Sequence, residues 1–317
     1  MIPSFTKDRP KDRPGPGPTP VALLRALDLT VGRRIHGTLP GEFRAHDLGG
    51  GLELAQIRPY QPGDDVRRID WNVTARTTVP HVRVHVPERA LTSWLLLDVS
   101  PSMTFGTALR RKADVAEGVA LAIGHLATQR GNRVGIATFG GRNDRRVPPR
   151  VGRDGLLATL LVSGAEQETI PQEAIPDVGP AGAGSAASAL RFVAATARRG
   201  GLVVVVSDFR GPRDWIRPLA AVAARHQVLG VEITDPREGD LPDVGELTLI
   251  DAETGREVRV DTSSPGLRDR FKSAASSERA EIAREFRRMN VGHIVLSTAT
   301  SWLPSLAAQL RTLGKAS

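Results

Sequence analysis

The chain is 317 residues long, 40% hydrophobic and free of cysteine, which rules out disulfides, thiolate-bound zinc and a cysteine nucleophile and fits a reducing compartment. No apolar run approaches the ~20 residues of a membrane helix, and the first residues carry no apolar signal segment, so the sequence predicts a soluble, cytoplasmic protein of one large or two ordinary domains. Its 43 basic residues against 35 acidic ones give a formal net charge of +8, a mild pointer to acidic partners that an Arg-, Ala- and Gly-rich composition also explains.

Residues 1–20 contain Pro3, Pro10, Pro14, Pro16, Pro18 and Pro20 and read as a disordered, polyproline-like tail. A short helix, Val21 to Leu27, opens an N-terminal segment that spans 21–91. Within it, Gly49 to Gly51 form a turn, and Tyr60 to Asp65 is turn chemistry centred on Pro62-Gly63. His81 to Val86 alternates as a strand; His81 and His85 share a face without a third ligand nearby. Opposite charges crowd this block at Arg58, Asp64, Asp65, Arg67, Asp70 and Arg76. Two readings stand together: an internal staple of paired Arg and carboxylate groups, or a partner-binding surface made by Arg58, Tyr60, Asp64, Asp65, Arg67 and Arg76. Asp64 and Asp65 follow a Pro-Gly turn and are expected to face solvent. Arg67 and Asp70, flanking Ile69, are expected inside.

From residue 92 the pattern changes. Trp94 to Leu97 is an apolar run suited to a strand buried on both faces, and it stops at Asp98, with Ser100 and Ser102 following on alternate positions. Leu109 to Gln129 is helical, Asn132 to Phe139 is a strand, and Arg145 to Val151 pairs with it as a hairpin with a basic edge. Gly155 to Val162 reads as a short helix and Ile170 to Gly184 as a long loop. A helix, Ala186 to Arg199, leads to a second buried-type strand, Leu202 to Asp208. Arg213 to His226 is helical, and Val228 to Thr234 is a strand. Leu247–Asp251 and Glu257–Asp261 form a hairpin. A long helix (Arg268 to Met289), a strand (Val291 to Thr298) and a helix (Trp302 to Leu313) complete the chain. Strands alternating with helices predict an α/β domain over 92–317 with a doubly wound, mostly parallel sheet, preceded by an irregular, β-containing N-terminal segment.

Two central strands that each end in an acid put carboxylates where open α/β sheets gather ligands. Asp98, Ser100, Ser102 and Asp208 are hard oxygen donors of the kind that suits Mg²⁺ or Mn²⁺. The bland alternative is that Asp98 and Ser100 cap the next helix. There is no phosphate-binding Gly-x-x-x-x-Gly-Lys motif, no Gly-x-Ser-x-Gly elbow and no His-Glu-x-x-His. Gly182-Ala183-Gly184-Ser185-Ala186-Ala187 matches a dinucleotide fingerprint, but Ile170 to Pro180 offers prolines and acids where that fingerprint needs a strand.

Asp98-x-Ser100-x-Ser102 with Asp208 resembles the metal-ion-dependent adhesion site of von Willebrand factor A domains. The resemblance implies a second-loop threonine; here Ser185 stands in that region, with Ser188 and Thr169 as substitutes. Arg58 to Asn72 with Ala75-Arg76, Leu96 to Met103, Asp235-Pro236-Arg237-Glu238 with Leu241-Pro242, and Asp251 to Gly255 together resemble the domain-of-unknown-function 58 family. That resemblance implies a von Willebrand A-like domain that accompanies MoxR-type AAA+ ATPases and acts as a non-enzymatic adaptor or chaperone-like partner for a client protein. A partner's Asp or Glu would complete the shell of an ion held by Asp98, Ser100, Ser102 and Ser185, with Asp208 acting through water. A metal-dependent hydrolase is an alternative without a convincing base, and a nucleic-acid binder has only the net charge behind it.

Overall fold

The computed structural model describes residues 2–3, 15, 52–62, 64–87, 92–129, 133–141, 144–151, 184–197 and 200–316. The helices expected at Val21–Leu27 and Gly155–Val162, and the loop from Ile170 to Ala183 with Thr169, lie outside the described residues. The chain divides into two units, Glu42–Ala90 and Met1–Gly41 with Leu91–Ser317. In chain order the first elements are β1 (Ile2–Pro3), β2 (Leu52–Pro59), α1 (Trp71–Thr77), β3 (His81–Pro87) and β4 (Thr92–Asp98). There follow α2 (Lys112–Gln129), β5 (Arg133–Phe139), β6 (Arg146–Val151), α3 (Ala186–Thr196), β7 (Leu202–Ser207) and α4 (Ile216–Ala223). The last are β8 (Gln227–Thr234), β9 (Glu246–Ile250), β10 (Glu257–Asp261), α5 (Pro265–Arg288), β11 (Gly292–Ser297) and α6 (Trp302–Ala316).

In the smaller unit, β2 and β3 pair antiparallel, with a register shift at Leu54/Gln56. The connection between them holds α1, a helix that the charge-rich sequence did not announce. Its start is set by Asp70, a buried residue whose Oδ1 accepts the N–H groups of Asn72 and Val73. Arg58 grips Asp64 through two parallel bonds of 2.8 and 2.7 Å, and the Gln61 N–H donates to the same carboxylate. The charge-dense block is therefore a staple at Arg58, Asp64 and Asp70. Two expectations are corrected here. Asp64 is half-buried because the turn folds back on Arg58, and Arg67 is exposed because the 3-10 turn Val66–Arg68 points it outward.

The larger unit is built on a six-stranded sheet of order β11-β8-β7-β4-β5-β6, parallel except for β6. This is the doubly wound, mostly parallel α/β sheet expected from the sequence. Side chains of β4 alternate between two cores. Leu95 and Leu97 pack with Val119 and Ile123 of α2 and with Trp302 and Leu306 of α6. Trp94 and Leu96 pack on the other face with Leu190 of α3, Leu219 of α4 and Phe286 of α5. With both faces covered, the strands are apolar at nearly every position rather than alternating.

A separate antiparallel sheet, β1-β9-β10, carries the expected hairpin. β1 lies in the region read as a disordered tail: Ile2 pairs with Ile250 and Pro3 with Leu249. α2 begins three residues later than expected because the preceding loop is tied elsewhere. The Leu109 N–H donates to Thr298 C=O, and Thr107 donates twice to Asp235. Among the described residues, no helix is long and apolar enough to cross a membrane.

Candidate metal centre

The parallel strands β4 and β7 are neighbours in the sheet, so their carboxyl ends open at the same edge. Asp98 ends β4. Its Oδ1 accepts the Ser100 N–H at 2.9 Å and its Oδ2 the Ser207 hydroxyl at 2.5 Å. Ser207, the last residue of β7, also accepts the Phe209 N–H, and Phe209 sits at φ +52°, held by its ring packing on Trp215 and Phe286. After Asp98 the chain enters a 3-10 turn, Pro101–Thr104, with Pro at its first position. Ser100 stands at the cap position of that turn, yet its hydroxyl makes no capping bond. It pairs instead with the Ser102 hydroxyl at 3.0 Å. The simple capping reading of Ser100 is thereby set aside.

Gly140 lets the next strand's loop close over this turn. At φ +84° it accepts no ordinary side chain cheaply, and a Cβ there would lie 2.8 Å from Ser100 Cβ and 3.1 Å from Asp98 Oδ1. The Gly140 N–H donates to Gly184 C=O, and buried Asp144 accepts the N–H groups of Gly141 and Gly184. Burial raises the Asp144 carboxyl despite those donors. These bonds bring the start of α3 to the site's edge. Ser185, however, is exposed and spends its hydroxyl as the N-cap of α3, accepting the Ser188 N–H. Among the described residues its hydrogen bonds go neither to Asp98, Ser100 and Ser102 nor to Asp208, and Ser188 donates back to Ser185 C=O. Thus the first and third loops come together and the second stands beside them, turned to capping.

The two acids differ sharply. Asp98 is buried, and burial together with the nearby Asp208 charge pushes its carboxyl up to about 6, against the pull of Ser100 and Ser207. Burial also pushes Asp208 up, but the Lys112 ammonium, the Arg210 N–H and the Ser102 hydroxyl outweigh it and leave the carboxyl below its ordinary value. Lys112, the first residue of α2, has no exposed surface and lies 2.6 Å from both Asp208 Oδ2 and Glu238 Oε1. Burial opposes its charge; the two carboxylates overcome that and raise its pKa. Arg210 extends the network to Glu238 and Glu278, each at 3.3 Å.

Glu238 is placed by a capping box: Asp235 Oδ1 accepts the Arg237 N–H, and Glu238 Oε2 accepts the Asp235 N–H. Asp235, fully buried, accepts from Thr107 and from the Thr298 hydroxyl, tying the loop after Ser102 to the ends of β8 and β11. Glu253, in the β9–β10 turn, reaches the Ser102 N–H at 3.1 Å. Lys112, Glu238, Asp144 and Glu253 were not singled out as site residues from the sequence. Glu238 carried a readable signal, the Asp-Pro-Arg-Glu capping box; Lys112 hid at the end of a basic run, Arg110-Arg111-Lys112.

Asp98, Ser100, Ser102 and Asp208 form an all-oxygen donor set. Two buried carboxylates repel each other there, with two hydroxyls beside them, which fits a small hard cation. Among the described residues no three His, Cys, Asp or Glu side chains converge as a metal cluster, so such a site would lean on the serine hydroxyls.

The sheet and its Asp-x-Ser-x-Ser turn define an α/β protein of von Willebrand A type. The chain belongs to the family described as "Protein of unknown function DUF58", which it matches over residues 56–281. It is 44% identical over 295 residues to the uncharacterized protein Rv1480 of Mycobacterium tuberculosis, covering 91% of this chain and 88% of that one, and equally to Mb1516 of Mycobacterium bovis. Likenesses to solved structures are distant. BatB from Bacteroides thetaiotaomicron is 14% identical with a TM-score of 0.41, covering 71% of this chain and all of that one. An aerotolerance-related membrane protein from Bacteroides fragilis is 15% identical with a TM-score of 0.43, covering 72% and all of the respective chains. A von Willebrand factor type A protein from Catenulispora acidiphila is 10% identical with a TM-score of 0.32, covering 73% and 43%.

Proposed function

We propose that this protein is a non-enzymatic adaptor that takes an acidic side chain of a protein partner through a divalent cation. Asp98, Ser100 and Ser102 would hold Mg²⁺ or Mn²⁺, Asp208 would act through water, and the bound ion would supply positive charge and an open position for a carboxylate. The observation that carries this reading is an asymmetry between the two buried acids. Asp208 already has the ammonium of Lys112 against it, whereas among the described residues Asp98 is bonded only to neutral donors. Ser185 would join the ion by giving up its cap on α3.

We infer the wider role from the von Willebrand A-type fold and the family: a cytoplasmic partner of a MoxR-type AAA+ ATPase that brings a client to it. For the ATPase contact we favour the 58–76 block. There Asp65, Arg67 and Arg76 are exposed, Trp71 is 70% exposed, and Arg58, Tyr60 and Asp64 are partly buried. Co-purification from the native host with Mg²⁺ or with EDTA tests the reading, using Asp98→Ala and Arg67→Ala/Arg76→Ala. EDTA and Asp98→Ala should both release the client, and the double arginine variant should release the ATPase. Client capture that is indifferent to EDTA and to Asp98→Ala would overturn the metal-bridging role.

A further inference from the structure

Among the described residues the six-stranded sheet of the larger unit has two edges, β6 and β11, and they are built differently. An open edge strand presents unpaired N–H and C=O groups to any other strand, and proteins commonly guard it with charge or proline. β6 carries both: Arg146 and Arg150 supply charge, and Pro148 and Pro149 lack the N–H that a neighbouring strand would need. β11, which reads Gly-His-Ile-Val-Leu-Ser, has neither a proline nor a Lys, Arg, Asp or Glu. Its histidine is turned inward, with Nε2 2.9 Å from buried Glu232 and the ring against Phe286. Val295, in the middle of this edge, is 41% exposed.

A side chain closes the β11 edge instead. Gln309 of α6 accepts the Val295 N–H on Oε1 at 3.0 Å and donates from Nε2 to the Val295 C=O at 2.7 Å. A carboxamide offers the same donor and acceptor as a peptide unit. These two bonds are the pair that a directly opposed residue of an antiparallel strand exchanges. Leu306 and Leu310, buried in the core beneath the sheet, fix the turn of α6 that carries Gln309. Beyond Val295 the chain closes its own edge, with the Thr300 N–H donating to the Ser297 C=O. The bonds between Gln309 and Val295 lie in contact with solvent, so water could satisfy the same backbone groups and the net gain in stability is small. What the amide changes is which other groups can bond there.

We propose that Gln309 is a latch that keeps the β11 edge from pairing with the β11 edge of a second copy of this chain. A second copy is the occupant that the strand fits. Antiparallel pairing about a two-fold axis at Val295 sets Val295 opposite Val295, with the same two bonds that Gln309 now makes. It sets His293 opposite Ser297, so no like-charged carboxylates or basic chains meet across the axis. The inference is independent of the metal-bridging reading.

Sedimentation velocity of the full chain across a wide range of concentration tests this, with wild type, Gln309→Ala, Gln309→Ser and Gln309→Ala/Val295→Lys compared. Alanine is the best helix former, so α6 should be kept, and melting curves check that each variant is folded. Gln309→Ala and Gln309→Ser should dimerise at least about tenfold more tightly than wild type, the scale of one freed pair of backbone bonds. Adding Val295→Lys should restore wild-type behaviour, because two lysines would face each other across the axis. Amide exchange at Val295 should quicken in dilute Gln309→Ala and slow again as concentration rises. If Val295 exchanges faster in Gln309→Ala while association stays at the wild-type level, the edge is open but does not pair, and the proposal is wrong. A dimer that survives Val295→Lys forms elsewhere and overturns it equally. An unchanged Val295 exchange rate would show that Gln309 does not hold the edge.

Discussion

The Lys112 ammonium lies 2.6 Å from Asp208 Oδ2, and neither side chain has appreciable contact with solvent. The chain thus supplies its own cation to one of the two acids at the head of the sheet. Asp98, one strand over, is bonded among the described residues only to neutral groups of Ser100 and Ser207, and its carboxyl is pushed up to about 6 by burial and by Asp208. The pair divides the labour of the site: Asp208 is a structural acid within an ion network, and Asp98 is the acid with charge still to be neutralised.

Lys112→Met should be severely destabilising. It leaves Asp208 and Glu238 buried together without their shared counter-ion, with only Arg210 near Glu238. Stranding buried charge in this way costs about 3–5 kcal/mol, read by urea denaturation in EDTA at neutral pH. A loss under about 1 kcal/mol would mean that water reaches the two carboxylates.

Asp98→Asn should do the opposite to stability while abolishing Mg²⁺ binding. The folded-state pKa of Asp98 is raised from 3.8 to about 6, so its favourable contribution is complete below 3.8 and is lost as pH rises through about 6. At pH 7.5 the ionised group is a liability that Asn removes, less the cost of turning the Ser207 hydroxyl; the gain should be about 1–2 kcal/mol. At pH 5, midway between the unfolded and folded values, the difference should fall to about half, and it should vanish only below 3.8. Denaturation in EDTA at both pH values measures it, and a variant less stable than wild type at pH 7.5 would contradict the assignment of Asp98 as the unneutralised acid.

Gly140→Ala should damage both fold and site. The added Cβ meets Ser100 and Asp98 and must hold φ +84°. Strain at such a position costs about 1 kcal/mol before any clash, so about 2 kcal/mol in total is expected. Mn²⁺ affinity should fall as well, because the atoms displaced are those of the first loop. Wild-type affinity in a destabilised Gly140→Ala protein would separate the loop closure from the metal site.

In the smaller unit, Asp70→Ala should cost about 1–2 kcal/mol, since it removes the acceptor that starts α1. Asp65→Ala, at an exposed turn, should cost less. Chemical denaturation of the full chain compares them. The reverse order would move the cap of this block from Asp70 to Asp65.

Much of this architecture was legible in the amino-acid order because it depends on local chemistry. Trp94 to Leu97 and Leu202 to Val206 are apolar without alternation, as a doubly covered strand requires, and the first stops at Asp98 and the second at Ser207-Asp208, which mark the strand ends. That was enough to put Asp98, Ser100, Ser102 and Asp208 at the head of the sheet. Tertiary structure decided the partners of those residues. Lys112 is 96 positions from Asp208 and 126 from Glu238, and Glu253 is 151 from Ser102. In sequence Lys112 is indistinguishable from its half-buried neighbours Arg110 and Arg111, because a lysine's fate depends on whether carboxylates from other strands reach it after burial. The same holds for Asp64: Pro62-Gly63 announces a turn, but only the closed turn shows that Arg58 lies beneath it. Strand type and strand end follow from nearest-neighbour pattern; which charges meet follows from the order of strands in the sheet, and no local pattern encodes that.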